Sequence, residues 1–86
     1  MTSASALAKI KDLAAKRRVL FTVHAVERME ERRVSRHDVF HAIAVAAQCS
    51  WDASNTSWTI RSEDADGDHL VMAVIIDGLL VIKTVY

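Results

Sequence analysis

The run LVMAVIIDGLLVIKTVY, residues 70–86, decides the fold. Its apolar residues fall into two blocks, 70–76 and 79–86, rich in valine and isoleucine and separated by Asp77 and Gly78. β-Branched side chains suit a pleated, half-buried surface, and Asp-Gly between two such blocks signals a hairpin with a two-residue type I′ turn. A membrane span is the competing reading. Asp77, Gly78 and Lys83 interrupt the run, which falls short of the roughly 20 residues needed to cross a bilayer. Two antiparallel strands are therefore expected, at about 69–76 and 79–86. A two-residue loop sets Ile76 against Leu79. His69, Val71, Ala73 and Ile75 then share one face with Leu80, Ile82, Thr84 and Tyr86, while Met72 pairs with Lys83 on the other. Both faces are largely apolar, so one is expected against helices and the other covered by further helical residues or buried in a homodimer.

Upstream, residues 57–62 alternate, with Trp58 and Ile60 on one side and Thr59 and Arg61 on the other, which predicts a third strand. Trp51 is placed to begin a separate edge strand, and 64–68, with Gly67, reads as a loop. Before Cys49 the period is helical. Leu7, Ile10, Leu13 and Ala14 recur at helix spacing, with Ser3 or Ser5 available as a cap. Residues 19–23 read as a short extended link. Thr22 can cap a second helix with Ala25, Val26 and Met29 inward. Ser35 and Asp38 have capping-box spacing, with Asp in place of the usual Glu or Gln, and open a third helix whose buried stripe is Val39, Ala42, Ile43, Ala46 and Ala47. The expected architecture is α+β in one domain spanning 1–86. Two to three N-terminal helices (about 4–17, 23–32 and 36–48) pack on a C-terminal antiparallel sheet of three to four strands (about 57–62, 69–76 and 79–86).

Composition fits that domain. With 51% apolar and 26% charged residues, the 86-residue chain has the make-up of a folded globular protein, and at this size it buries roughly 60–65% of its unfolded surface. Eleven basic residues balance eleven acidic ones, which argues against a long-range electrostatic grip on nucleic acid but leaves room for a local patch. Lys9, Lys11, Lys16, Arg17, Arg18, Arg28, Arg32, Arg33 and Arg36 all lie in the first 36 residues, whereas the loop 63–68 is acidic. The single cysteine, Cys49, cannot form an internal disulfide, and a cytoplasmic location is expected. No signal peptide and no membrane partner are expected.

His37 and His41 are four residues apart on a helix, a spacing that can hold a metal, but no third ligand stands beside them and a solvated helix face is the expectation. The acidic loop lacks the twelve-residue pattern of an EF-hand. Trp51 and Trp58 can stack on bases, although tryptophan in so small a protein more often fills a core or interface. Cys49 has no activating neighbour in sequence and reads as a buried small hydrophobe. His24, Arg28 and Arg32 share one helix face. Histidine transfers protons near neutral pH and arginines grip phosphate through paired hydrogen bonds. Arg61 and Lys83 add positive charge from the sheet, and Tyr86 a phenol. Together these are the ingredients of metal-independent RNA cleavage, without metal or organic cofactor. The competing reading leaves His24 as a helix-start residue and pairs the arginines with Glu27, Glu30 and Glu31.

The run Phe21 to Val39 also resembles the signature of a family of small bacterial proteins, domain of unknown function 4258. The matching positions are His24, Ala25, Arg28, Met29, Arg32, Val34, Ser35, Asp38 and Val39, and the closing Thr84-Val85-Tyr86 is similar to the family's final strand. Where the family pattern has glycine after the second helix, this chain has Arg33, a position that is strained if it requires positive φ. That family is often compared with the RelE/ParE toxins, many of which are messenger RNA endonucleases. The resemblance implies a toxin-type endoribonuclease with His24 as proton-transfer group, Arg28, Arg32 and Arg61 as phosphate clamp and Tyr86 as stacking or acid-base group. Catalysis would then fall to His24, Arg28, Arg61 and Tyr86, and RNA binding to Arg32 and Lys83. RNA or the ribosome, and an antitoxin protein, are the implied partners. The rival expectation is a non-enzymatic homodimeric adaptor that uses the spare apolar face of the sheet.

Overall fold

A computed structural model of the chain describes residues 1–86. Three helices, α1 (Ser3–Ala15), α2 (Val23–Arg32) and α3 (Arg36–Val45), precede a sheet completed by β2 (Cys49–Asp52), β3 (Ser57–Glu63), β4 (His69–Asp77) and β5 (Leu79–Val85). A further short strand, β1 (Val19–Phe21), lies between α1 and α2. The sheet order is β1-β5-β4-β3-β2. The α+β class expected from the sequence is observed, with helices first and sheet after. The sheet is larger than expected and mixed: the link at 19–23 supplies β1, which pairs parallel with β5 through Val19–Leu80 and Phe21–Ile82. A three-residue parallel edge strand carries too little periodicity to be read from sequence, because its partner lies far along the chain.

The helices cover one face of the sheet. α1 crosses it from β2, where the Cys49 thiol donates to the Ser3 carbonyl (3.4 Å), to the sheet's other side, where the Leu80 N–H donates to the Arg18 carbonyl (2.9 Å). α3 lies over β3, tied by the Ser62 hydroxyl donating to the Ala42 carbonyl (2.7 Å), and Lys11 of α1 donates to the free Ala44 carbonyl near the end of α3 (3.0 Å). α2 lies over β5, where the Thr22 hydroxyl donates to the Lys83 carbonyl (2.8 Å). Between these layers sits one core that includes Ile10, Leu13, Met29, Val39, Ile43, Ile60, Met72, Val74, Leu80 and Ile82. Each such side chain, fully buried, contributes about 1.5–3 kcal/mol, so the three amphipathic helices owe their stability mainly to this shared layer.

Helix ends follow local chemistry. Thr2, not Ser3 or Ser5, caps α1, its hydroxyl accepting from the Ser5 N–H (3.1 Å). Thr22 caps α2, and Ser35 with Asp38 forms a complete capping box at α3. α2 ends in a Schellman pattern: the Val34 N–H donates to the Met29 carbonyl and the Arg33 N–H to the Glu30 carbonyl, with Arg33 left-handed at φ 55°. Arg33 thus occupies the position at which glycine is free of strain. α3 is shorter than the expected 36–48, because Ala46 turns extended (ψ 132°) and starts the descent to β2.

The hairpin register also departs from expectation. Asp77 opposes Leu79 and Ile76 opposes Leu80, so the turn pivots on Gly78 alone (φ 72°) rather than on two residues of positive φ. Type I′ geometry needs both, and Asp77 stays in the strand. A one-residue shift reverses the facing of every side chain: Leu80 and Ile82 join Val74 and Ile76 on the core side instead of Ala73 and Ile75. A bulge at Lys83 then shifts the register once more, setting Thr84 opposite Ala73 and Val85 opposite Met72. Lys83 itself has no opposite number in β4, so the expected Met72–Lys83 pair does not form.

Replacing Arg33 by glycine removes a left-handed residue costing about 1–2 kcal/mol, against about 0.5–1 kcal/mol of added chain entropy. Arg33→Gly should raise stability by about 0.5–1 kcal/mol, seen as a melting temperature a few degrees higher. The capping box carries a pH signature. The Ser35 N–H and then its hydroxyl hold the Asp38 carboxyl below its ordinary value. Its contribution is full above the unfolded pKa of about 4 and lost as pH falls through the lower folded value. The stability gap between the wild type and Asp38→Asn in urea titrations should therefore close on going from neutral pH into strong acid.

Candidate functional site

The uncovered face of the sheet carries three of the six candidate side chains. Arg61 of β3 alternates with the buried Ile60 and so points away from the helices. It is paired in register with Val71 of β4, and on the other side of Val71 the Tyr86 N–H donates to the Val71 carbonyl (2.9 Å). Neighbouring strands lie about 4.8 Å apart, so Arg61 and Tyr86 flank a single residue. They line one open groove of about 270 Å³ with Asp52, Thr59 and Val71. That volume is at the small end for ligand sites and suits a nucleotide fragment better than a large cofactor. Arg61 also borders two adjoining hollows, one with Gln48, Ser50 and Thr59, the other with Glu63 and His69.

Lys83 belongs to the same face. Its ammonium donates to the Asn55 carbonyl in the β2–β3 turn (3.0 Å), so its stem runs out over β4 toward that turn. On this face Ala73 and Ser57 are buried, and the Ser57 hydroxyl has no hydrogen-bond partner. Asp52 organises the turn that Lys83 reaches. Its carboxylate accepts from the Asn55 side-chain amide (2.8 Å) and from the Ser54 and Asn55 N–H groups (3.0 and 3.3 Å). The Asn55 amide foremost, then these backbone donors and the charge of Lys83, hold the Asp52 carboxyl below its ordinary range, against a smaller opposing effect of desolvation.

The remaining candidates stand elsewhere. α2 turns Ala25 and Met29 into the core on the helix-covered side, which leaves His24 and Arg32 exposed. Arg28 is used structurally: Nε donates to the Val85 carbonyl (3.4 Å) and the guanidinium pairs with Glu31 (3.4 Å). No hydrogen bond or ion pair links His24 to Arg28, Arg61 or Tyr86. The six residues therefore form two groups, His24, Arg28 and Arg32 on α2, and Arg61, Lys83 and Tyr86 on the open sheet face. Asp52 and Thr59 belong to the second group. The alternation around Arg61 already marked Thr59, and the spacing Asp52-Ala53-Ser54-Asn55 is the Asx-turn signal that would have marked Asp52.

No three histidine, cysteine, aspartate or glutamate residues converge on a common point. In the acidic loop, Asp64 turns its carboxylate onto its own backbone, accepting from the Asp66 and Asp68 N–H groups (2.9 Å each). Trp51 and Trp58 meet edge to face at 5.1 Å, with Trp58 buried and Trp51 half exposed. They wall a separate hollow of about 710 Å³ with Met1, Thr2, Ser3, Thr56, Ile75 and Ile76. It is larger than the Arg61–Tyr86 groove but holds no charged side chain, so the groove is the better place for chemistry. Comparison with family models, curated proteins and solved structures finds no match to this chain.

Cys49 is buried beneath the first turn of α1, and burial pushes its thiol pKa up. A thiol with little thiolate and no access is inert. In the native protein at pH 8, Cys49 should react with a disulfide reagent orders of magnitude more slowly than in about 6 M guanidinium chloride, where the thiol regains free-cysteine behaviour.

Proposed function

We propose that the chain is a small toxin-type endoribonuclease that works at the Arg61–Tyr86 groove. The observation carrying this reading is that a guanidinium with no carboxylate within 4 Å and a half-exposed phenol line one groove on a sheet face free of helices. In the reaction the 2′-hydroxyl oxygen attacks the adjacent phosphorus and the bond from phosphorus to the 5′-oxygen breaks. The products are a 2′,3′-cyclic phosphate and a free 5′-hydroxyl end. Arg61 suits the non-bridging oxygens, where negative charge builds in the transition state. The Tyr86 phenol, an O–H donor at the groove wall, suits proton donation to the departing 5′-oxygen. The Asp52 carboxylate can accept the hydrogen bond of the 2′-hydroxyl and then its proton as the oxygen attacks, and solvent returns a proton from Asp52 to the Tyr86 phenolate, restoring both groups. No metal or organic cofactor is invoked. The likeness of 21–39 and 84–86 to the domain of unknown function 4258 pattern supports the same reading, with the difference that His24 stands apart from this groove.

One observation favours a second reading, a non-enzymatic homodimeric adaptor. Leu20, Ile75, Leu79 and Val81 form an apolar strip on the same uncovered face, and Leu20 is half exposed. A second copy laid on that strip would close off the face that the nuclease needs open.

The two readings separate in one set of measurements. Purified protein is incubated with total messenger RNA, 5′-hydroxyl ends are mapped, and molecular mass is followed by light scattering. The nuclease reading expects cleavage that falls about 10²–10³-fold in Arg61→Ala and at least tenfold in Tyr86→Phe, with His24→Ala nearly unchanged. Intact RNA together with a dimer that Leu20→Glu dissociates would instead establish the adaptor.

A further inference from the structure

At the β1 edge, two arginines are held in an arrangement that the groove does not use. The guanidinium of Arg17 lies over the Phe40 ring, 4.0 Å from its centroid, and that of Arg36 over Phe21 at 4.4 Å. The two rings meet edge to face at 6.2 Å and 74°. Arg17 comes from the turn after α1, Phe21 from β1, and Arg36 and Phe40 from α3, so three separate parts of the chain build one stack. Arg17 is fixed further by a left-handed backbone (φ 58°) and by its guanidinium donating to the Ala14 carbonyl (2.8 Å).

The stacked arginines, like Arg61 of the groove, lack counter-ions. The ion pairs of the molecule are Lys16–Asp12 and Arg28–Glu31, so neither stacked arginine has a carboxylate within 4 Å. Arg18, next to Arg17, and Arg33, three residues before Arg36, are exposed and equally unpaired. A chain whose formal charges sum to zero thus holds two arginines without counter-ions in one stack, with two more unpaired arginines close by in sequence. A guanidinium resting on a ring keeps its in-plane N–H groups free for phosphate oxygens. Its motion is already restricted before a ligand arrives, which lowers the entropy lost on binding. Both stacked arginines are exposed residues, and a planar cation accepts a stacked base. Bases are available for such stacking in a single strand and hidden in a duplex. An acidic peptide would satisfy the charge but leave the planar faces unused.

We propose that the Arg17–Arg36 edge binds single-stranded RNA, with the N–H groups on backbone phosphates and the guanidinium faces against bases. This rests on the reading that RNA is the chain's substrate class, though not on its cleaving RNA at the groove.

The test is binding of a fluorescein-labelled, 2′-O-methylated oligonucleotide of roughly 12 residues, which cannot be cleaved, followed by anisotropy from about 50 to 300 mM salt. Arg17→Gln/Arg36→Gln should lower affinity at least tenfold at the low-salt end. It should also flatten the slope of log affinity against log salt by about 1.4, or 0.7 for each phosphate no longer neutralised. Lys9→Gln, which removes an exposed cation elsewhere on α1, should leave the slope in place. If the double glutamine variant melts early by circular dichroism, Arg17→Lys/Arg36→Lys serves in its place. Keeping charge but losing the planar stack, it should hold the slope and lose affinity severalfold. The proposal is overturned if the wild type does not bind at about 50 mM salt, or if the folded variant matches it in affinity and slope. It is equally overturned if a polyglutamate peptide binds this edge and the oligonucleotide does not. The loss caused by Arg17→Gln/Arg36→Gln should be as large in an Arg61→Ala background as in the wild type, because the edge and the groove are separate contacts. Binding lost at Arg17 and Arg36, with no cleavage of any RNA, would end the nuclease reading and leave this one standing. Cleavage together with an unaltered slope would do the reverse.

Discussion

One extra residue in β5 governs how the two faces of this sheet are used. Leu80 and Ile82 keep strict alternation and point into the core, but the next buried position is Val85, not Thr84. An unbroken strand would turn Val85 outward and Tyr86 inward, burying a phenol where no partner waits for its hydroxyl. The bulge at Lys83 absorbs the mismatch. It lets Val85 complete the core above Met72 and delivers Tyr86 to the open side beside Val71 and Arg61. It also frees Lys83 from pairing in β4, so that its long side chain can lie across the sheet to the β2–β3 turn. Core closure, groove and cross-sheet tether all depend on that single offset.

Charge is organised with the same economy. A formal charge of zero conceals an uneven distribution, with arginines clustered around the helix ends near β1 and carboxylates gathered in the β3–β4 loop. Most carboxylates with resolved partners bond to backbone: Asp38 serves its capping box, Asp52 and Asp64 their turns. Acidic side chains are thereby occupied with local structure while the arginines stay unpaired, apart from Arg28. The surface potential is therefore set by where the carboxylates are tied down as much as by how many there are.

How far the sequence could be read follows from the range of each signal. Caps and amphipathic stripes are written within a few neighbouring residues, so α2 and the start of α3 were legible to the residue, as was the inward stripe of Ile10, Leu13 and Ala14. The alternation at Trp58, Ile60 and Arg61 fixed which side chains of β3 face outward. Misreadings arose where distant segments decide. Asp77-Gly78 carries a two-residue turn signal, yet packing of Leu80 and Ile82 under the helices selects a tighter pivot on Gly78. β1 exists because β5 offers it an edge, a fact invisible in Val19–Phe21 alone. The grouping of candidate residues was hidden for the same reason. His24 and Arg61 are equally plausible as chemistry, and only the layering of α2 against the sheet separates them.

The pairing of β1 with β5 also bears on how the chain reaches this state. Val19 must find Leu80, so the edge of the sheet and the two arginine-capped rings beside it cannot settle until nearly all of the intervening chain is in place. During vectorial synthesis the helices emerge first, with Ile10, Leu13, Met29 and Ile43 turned toward a layer that does not yet exist. Contacts of such long sequence separation form slowly, and an apolar helix face waiting for its sheet is open to the wrong partner. The late arrival of β5 makes the nascent chain, more than the finished fold, the stage at which this protein is vulnerable to misassembly.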